Sequence, residues 1–228
     1  MSMAVMKYMA WLLVWLVCCG TAWGTSPSDG KFVIRWNLKN MPDSVKGVLY
    51  DFNPHMSAAK AIAEFSLQDG LTVYEDTISR PRHLRFFGWG KGFPNWVLDL
   101  WVEPGGWIDF QGEDKWLNRW TVTTNIGLQK DMVGYEACVA AEVEEILRLD
   151  EETERGDSLS LKRLRELNNR IVSKGLSYLK TIPVTEAWLD KFLEIAWYAT
   201  GQQDFLASCR PDFQQLYARL PLDWQNTE

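Results

Sequence analysis

Two histidines and four cysteines are all that this 228-residue chain has of the side chains most used for nucleophilic and metal chemistry. Cys18 and Cys19 fall in an N-terminal leader, so only Cys138 and Cys209 stand in the body of the sequence. No C-x-x-C pair exists, which excludes a local dithiol or zinc knuckle. Cys138 and Cys209 are a candidate disulfide in an oxidising compartment. The alternative is two thiols packed as small apolar groups. A Ser/His/Asp triad or a Cys/His pair needs a histidine oriented by a third group. His55 sits in an Asn-Pro-His turn and His83 in a strand pattern, and neither belongs to a catalytic motif. Metal spacings such as H-E-x-x-H are absent, as is a Walker loop. Gly88-x-Gly90-x-Gly92 lacks the strand–loop–helix context and the spacing of a dinucleotide fingerprint. Glu103 and Asp109 flank a Gly-Gly turn, where two carboxyls could stand the roughly 5–9 Å apart that glycoside hydrolysis needs. Acids at turns and strand ends are more often plain solvated surface. No catalytic, cofactor-binding or metal-binding residue is therefore assigned from sequence, no cofactor is expected, and the reading favours a protein without turnover.

An excess of positive charge is also missing. Lys and Arg total 24 against 30 Asp and Glu, a net charge of −6, so no nucleic-acid partner is expected. Long apolar runs are confined to residues 1–24, which read as a secretory signal. Lys7 supplies the positive end, 8–19 form a near-continuous apolar stretch of 12 residues, and Ala22-Trp23-Gly24 is a small-x-small cleavage site. A spanning helix needs roughly 20 apolar residues. The protein is thus expected to be exported to the periplasm or the outer membrane, and not polytopic. Cys19, with Leu16 three residues before it, is a candidate lipidation site that would attach the protein to a membrane. Val17 and Cys18 between them make the match to a lipoprotein signal imperfect. Removing the first 24 of 228 residues leaves 204, enough for one large domain or two small ones. With 46% apolar and 24% charged residues, the chain has the composition of an ordinary globular protein.

Residues 31–125 show short β segments divided by turn residues. Phe32, Ile34, Trp36 and Leu38 alternate with Val33, Arg35 and Asn37, the pattern of a half-buried strand. Further strands are expected at 45–52, 60–67, 71–78, 83–89, 96–102, 107–111 and 116–123. Asp69-Gly70 between two of these runs predicts a hairpin. From 126 to 228 the period is helical. Val139, Val143, Ile146 and Leu147 lie three and four apart. Residues 150–157 read as a loop, Ser158 or Ser160 as a cap, and 185–200 as a helix terminated by Gly201. Pro211 is placed as the first residue of a last short helix. The expected fold class is α+β: an antiparallel β-sandwich or open barrel followed by a helical region.

Thirteen tryptophans are the chain's most unusual surplus. Trp89, Trp96, Trp101, Trp107, Trp116 and Trp120 fall within 32 residues. Alternation puts Trp96 with Leu98, Leu100 and Val102, hence in the core. It puts Trp101 with Asp99, and Trp107 with Asp109 and Gln111, hence half exposed. Trp101, Trp107, Trp116 and Trp120 are therefore the candidate ligand surface, suited to sugar rings, peptides or a partner protein. The plain alternative is that these rings fill a thin core or pack on the helical half.

The segments KFVIRWNLKNMPDSVKGVLYDF, LQDGLTVYEDTISRPRHLRF, LWVEPGGWIDFQGEDK and WTVTTNIGLQKDMVGYE resemble the N-terminal domain of unknown function that precedes the thioredoxin domain in TlpA/ResA-like thiol:disulfide oxidoreductases of Bacteroides-type bacteria. The Glu-Pro-Gly block is the most specific of these matches, and the first segment looks like that domain's first hairpin. Residues 135–228 look like the helical connector that follows. The resemblance implies export and membrane attachment. It implies no redox activity, because the thioredoxin domain with its Cys-x-x-Cys would begin where this sequence stops, at Glu228. The expected function is that of an envelope-associated, non-catalytic accessory protein acting through a protein or glycan partner. One alternative is a carbohydrate- or peptidoglycan-binding module using the exposed Trp residues. Another is the non-redox half of a split thiol:disulfide oxidoreductase.

Overall fold

The computed structural model describes residues 30–42, 44–51, 60–90, 93, 97–152, 158–200 and 202–225. The expected leader with Cys19, and His55, Trp96 and Gly92, lie outside them.

Eight strands come first: β1 (Lys31–Leu38), β2 (Val45–Asp51), β3 (Lys60–Leu67), β4 (Gly70–Thr77), β5 (Arg82–Trp89), β6 (Val97–Val102), β7 (Trp107–Gly112) and β8 (Thr121–Thr124). They form two four-stranded sheets, ordered β4-β1-β7-β8 and β3-β2-β5-β6. The fold is thus α+β with an N-terminal sandwich. All pairings are antiparallel except β1 with β7, where Val33 faces Trp107 and Leu38 faces Gly112 in parallel. The inner faces meet through the alternating apolar residues of each strand. Trp36 sits at the centre, stacked on Phe110 with ring centroids 5.8 Å apart and tilted against Phe65 and Phe86. Burying large aromatics supplies much of the stabilisation of so thin a core.

The turns are placed as the sequence suggests, but they join different partners. Asp69-Gly70 does not close a hairpin: β3 belongs to one sheet and β4 to the other. β1 and β2, which the resemblance pairs as a first hairpin, are likewise in opposite sheets. Dipeptide chemistry fixes where the backbone reverses, and cross-strand burial decides which edge the next strand joins. The same holds at Glu103–Gly106. The Gly106 N–H donates to the Glu103 carbonyl at 2.9 Å, and Gly105 takes φ +77°, which makes a type II turn with Pro104 at its second position. This turn carries the chain from β6 across to β7. The run 116–123 divides into a single 3-10 turn (Leu117–Arg119) and the short β8.

The helical region contains α1 (Gly127–Glu152), α2 (Ser158–Leu179), α3 (Glu186–Thr200), α4 (Gln203–Tyr217) and α5 (Leu222–Gln225). Among the described residues none of these helices is long and apolar enough to cross a membrane. α1 runs through the start of the expected 150–157 loop. Tyr135, Val139, Val143 and Leu147 make its buried stripe and pack on Val172, Leu176 and Leu179 of α2 and on Trp188, Phe192 and Ile195 of α3. Pro211 lies inside α4 rather than opening a helix, because the chain is already helical from Gln203. The carbonyls of Leu179 and Ile182, where α2 ends, accept from Arg219, and Leu179 also accepts from the Trp188 indole at 2.8 Å. Cys138 and Cys209 are both free thiols, Cys209 buried and Cys138 half-buried, so the packed-thiol reading describes them and the disulfide does not.

α1 and α3 lie on the outer face of β5 and β6. β6 is an edge strand, and Gln129 of α1 covers that edge by accepting the Trp101 N–H at 2.6 Å. Trp101 packs against Met132 of α1 and Ala187 of α3. Half of this sheet's outer surface is therefore an interior.

Candidate functional site

On that covered face the register of β5 and β6 sets His83 opposite Trp101, Arg85 opposite Asp99 and Phe87 opposite Val97. The His83 imidazole stacks on the Trp101 indole at 4.9 Å and 8°. Asp99 collects three cations: Lys191 at 2.9 Å, His83 at 3.0 Å and Arg85 at 3.1 Å. Lys191, buried on α3, also reaches Glu194 at 2.6 Å, and its ammonium lies 4.9 Å from the centroid of the Tyr135 ring. The second ring nitrogen of His83 lies 2.7 Å from Asp190. Strands and helices are thus joined by a largely buried ionic network of residues distant in sequence, Lys191 bonding Asp99 across 92 positions and His83 meeting Asp190 across a longer span still.

Burial opposes charge on each member, and the partners decide the outcome. For Asp99 the desolvation penalty is outweighed by the Lys191 ammonium and by His83, and its carboxyl is held well below the usual range. Desolvation also works against a charged Lys191, but Asp99, Glu194 and Glu136 outweigh it and raise the ammonium's pKa well above its ordinary value. In His83 the same penalty is overcome by hydrogen bonds to Asp190 and Asp99, so its pKa is raised. Both ring nitrogens face carboxylate oxygens, which only accept, so the geometry calls for an imidazolium. Glu136 of α1 behaves differently. Burial pushes its carboxyl up to about 7, Lys191 pulls it down, and the negative charges of Asp99 and Glu194 add to the rise.

Next to this network lies a cavity of about 440 Å³. Arg85, Asp99, Tyr135, Glu136, Lys191 and Glu194 form its polar side; Val139, Val143, Ile146, Ile171, Val172 and Ile195 form its apolar wall. Val97 and Tyr198, both lining it, keep substantial solvent exposure. The volume falls within the range of small-molecule sites, and so does the mixture of a broad apolar wall with a few converging polar groups. Glu136 and Val139 stand one turn apart on α1, so an acid and the apolar wall share a helix face.

The four tryptophans named as a ligand surface do not come together. Trp101 is 6% exposed, because the face it shares with Asp99 is covered by helices rather than by water. Trp120 is also buried, its indole N–H donating to the Asp114 carbonyl at 2.8 Å. Trp107 is half-buried on the outer face of the other sheet, with the Arg35 guanidinium 5.7 Å from its ring centroid. Trp116 is half-buried against the helical core, between Lys115 and Arg119. Trp107 and Trp116 keep exposed surface, but at opposite ends of β7. Asp109, considered with Glu103 as a carboxylate pair, is held by Arg35 through two contacts. Gly88 makes room for the Phe93 ring, which a Cβ there would strike.

The sequence places His83 in a strand and in no catalytic motif, and it gives no role to Lys191, Glu136 or Glu194. A signal for the set was present. Asp99 interrupts the apolar run of β6, and Lys191 stands four residues from both Ala187 and Ile195 on the apolar stripe of α3. Glu136 stands between Met132 and Val139 on that of α1. Charges of opposite sign on buried stripes of separate elements are candidates to meet.

Among the described residues no group of side chains is arranged to hold a metal ion. No family model, no curated protein and no solved structure matches this chain.

Proposed function

We propose that this is an exported, envelope-associated protein that works by binding and not by turnover, and that the cavity between β5–β6 and α1–α3 holds its ligand. The observation that carries the reading is the cavity itself: about 440 Å³, walled by aliphatic side chains and floored by fixed charges. A preformed pocket of this kind holds a small molecule without reorganising. Arg85, Asp99, Lys191 and Glu194 on its floor are committed to one another, which suits orientation of a ligand. None of the described lining residues is a Ser, Thr or Cys that a neighbouring base would activate. Export rests on the 1–24 leader and its similarity to a secretory signal. The accessory role rests on the resemblance to the non-redox half of TlpA-like oxidoreductases.

The binding reading is checked by following unfolding midpoints of the mature protein against a panel of small amphiphiles, with methyl NMR of Val139, Val143 and Ile195 to locate any binder. Binders that raise the midpoint and shift those methyl groups are expected, and a panel that does neither overturns the reading. Reduction of a disulfide substrate with turnover would remove the non-catalytic part. The mass of the N-terminus recovered from an expressing envelope tests export: residues 1–24 lost, or Cys19 acylated, is expected.

A further inference from the structure

The charges around the cavity do not cancel, and the excess identifies what is missing. Among the described residues facing this junction, β5 brings His83 and Arg85, β6 brings Asp99, α3 brings Asp190, Lys191 and Glu194, α1 brings Glu136, and α2 contributes the neutral Asn168. His83, Arg85 and Lys191 balance Asp99, Asp190 and Glu194, three against three, and every one of these six lies within 3.1 Å of an opposite partner. Glu136 is the seventh. It lines the cavity and makes no hydrogen bond or ion pair with another described residue.

We propose that the cavity takes a small organic monocation, a primary or secondary amine on an aliphatic or aromatic body, with its ammonium seated on the Glu136 carboxylate. The proposal rests on the cavity being a ligand site and adds the class of ligand. An anionic head would have to draw Arg85 or Lys191 away from carboxylates that already hold them, leaving a buried charge uncompensated. A cation meets the one acid of the cluster that has no direct ion-pair partner and brings the local sum to zero. The apolar body then lies along Val139, Val143, Ile146 and Ile195, beginning one helical turn from Glu136. Tyr198, at the exposed edge, adds an aromatic face that attracts cations.

Proton balance gives the proposal a second readout. Desolvation pushes the half-buried Glu136 carboxyl up to about 7, so near neutral pH protonated and ionised forms are both present. An amine arrives as an ammonium ion, and Glu136 releases its proton to solvent as the pair forms. Between pH 6 and pH 8 the ionised fraction of a group titrating near 7 rises about tenfold. The amine's affinity should rise by about that factor.

The experiment is calorimetric titration of the full mature chain with hexylamine, hexanol and hexanoate at pH 6 and pH 8. Each pH uses two buffers of different ionisation enthalpy, and methyl NMR reports the place of binding. Expected are binding of hexylamine at the cavity methyl groups, about tenfold tighter at pH 8, and proton release at pH 6. Glu136→Gln should lower hexylamine affinity at least tenfold and abolish both pH effects. Hexanol or hexanoate binding at the same methyl groups as tightly as hexylamine would overturn the cation assignment and leave the cavity as a ligand site. Glu136→Gln binding hexylamine unchanged does the same. If none of the three perturbs those methyl groups, the assignment falls, and the broader amphiphile panel alone decides the ligand site.

Discussion

The two sheets carry the same device on their outer faces, and only one is covered. On one sheet Arg35 of β1 faces Asp109 of β7 across the register, with Trp107 beside them. On the other Arg85 of β5 faces Asp99 of β6, with Trp101 beside them. Each is a cross-strand Arg–Asp pair next to an indole. The first faces away from the helices, its side chains 22% and 28% exposed. α1 and α3 close over the second, adding Lys191, Glu194, Glu136 and Asp190 and a cavity. Identical local chemistry becomes a surface ion pair in one place and a candidate binding site in the other. What differs is the layer placed on top.

If covering is what matters, removing the acid should separate the two faces most sharply. Asp99→Asn leaves Lys191, Arg85 and His83 facing one another inside the protein, and breaking a buried ionic cluster in this way costs about 3–5 kcal/mol. Asp109→Asn removes a partly solvated pair, worth at most about 1 kcal/mol. Urea unfolding of the two variants measures the contrast, and equal losses would show that the helical layer does not alter the dielectric around Asp99.

Truncating the indoles should separate the faces next. Trp101→Ala opens a void beneath Met132, Ala187 and His83, and such deletions cost about 3–5 kcal/mol. Trp107→Ala removes a ring that is already partly in water, with an expected loss of about 1–2 kcal/mol on the same area argument. Thermal unfolding followed by near-UV circular dichroism reads both.

These contrasts also show which features the sequence makes legible. Alternation in β1 and β6 identifies the strands and their faces, and the apolar stripes of α1 and α3 identify the helices. The turns at Asp69-Gly70 and Glu103–Gly106 are legible as turns. Which sheet receives the next strand is not, because that depends on burial between segments distant in sequence. Trp101 makes the same point. Its face-mates are read correctly from alternation, but a polar neighbour such as Asp99 signals solvent only if nothing packs there. The site is assembled from residues 83, 99, 136 and 191, contributed by four elements, and no local period connects them. Pro211 within α4 shows the converse: local chemistry favours a helix start, while packing carries the helix through.

pH sharpens the comparison further, with opposite signs for different members of the cluster. His83 has a folded pKa above its unfolded value, so its contribution is complete below about 6.5 and is lost as pH rises through the folded pKa. Asp99 is held low, so its contribution is present above about 3.9 and is lost as pH falls through the folded pKa. Glu136, raised from 4.5 to about 7, retains a proton that the unfolded chain has given up, so it destabilises the fold increasingly from about pH 4.5 to 7. Glu136→Gln should therefore leave stability unchanged near pH 4 and raise it at pH 8, on the order of 1–3 kcal/mol. Denaturation curves at the two pH values test this, and a variant destabilised at pH 8 would contradict it.

Salt is the mildest probe. The Debye length falls from about 10 Å at 0.1 M to about 3 Å at 1 M ionic strength. Ions approach Arg35 and Asp109 from the solvent side of their sheet, so the few tenths of a kcal/mol that the pair contributes should be screened away. The Asp99 carboxylate and the Lys191 ammonium, 14% and 5% exposed and 2.9 Å apart, lie beneath Trp101, Tyr135 and the two helices, so salt screens them far less. Measured as the difference between Asp109→Asn and wild type, the penalty should shrink toward zero in 1 M NaCl. The Asp99→Asn penalty should persist almost unchanged. A parallel decline in both would mean that water reaches Asp99 as freely as it reaches Asp109, and that the helices shield the cluster far less than its geometry implies.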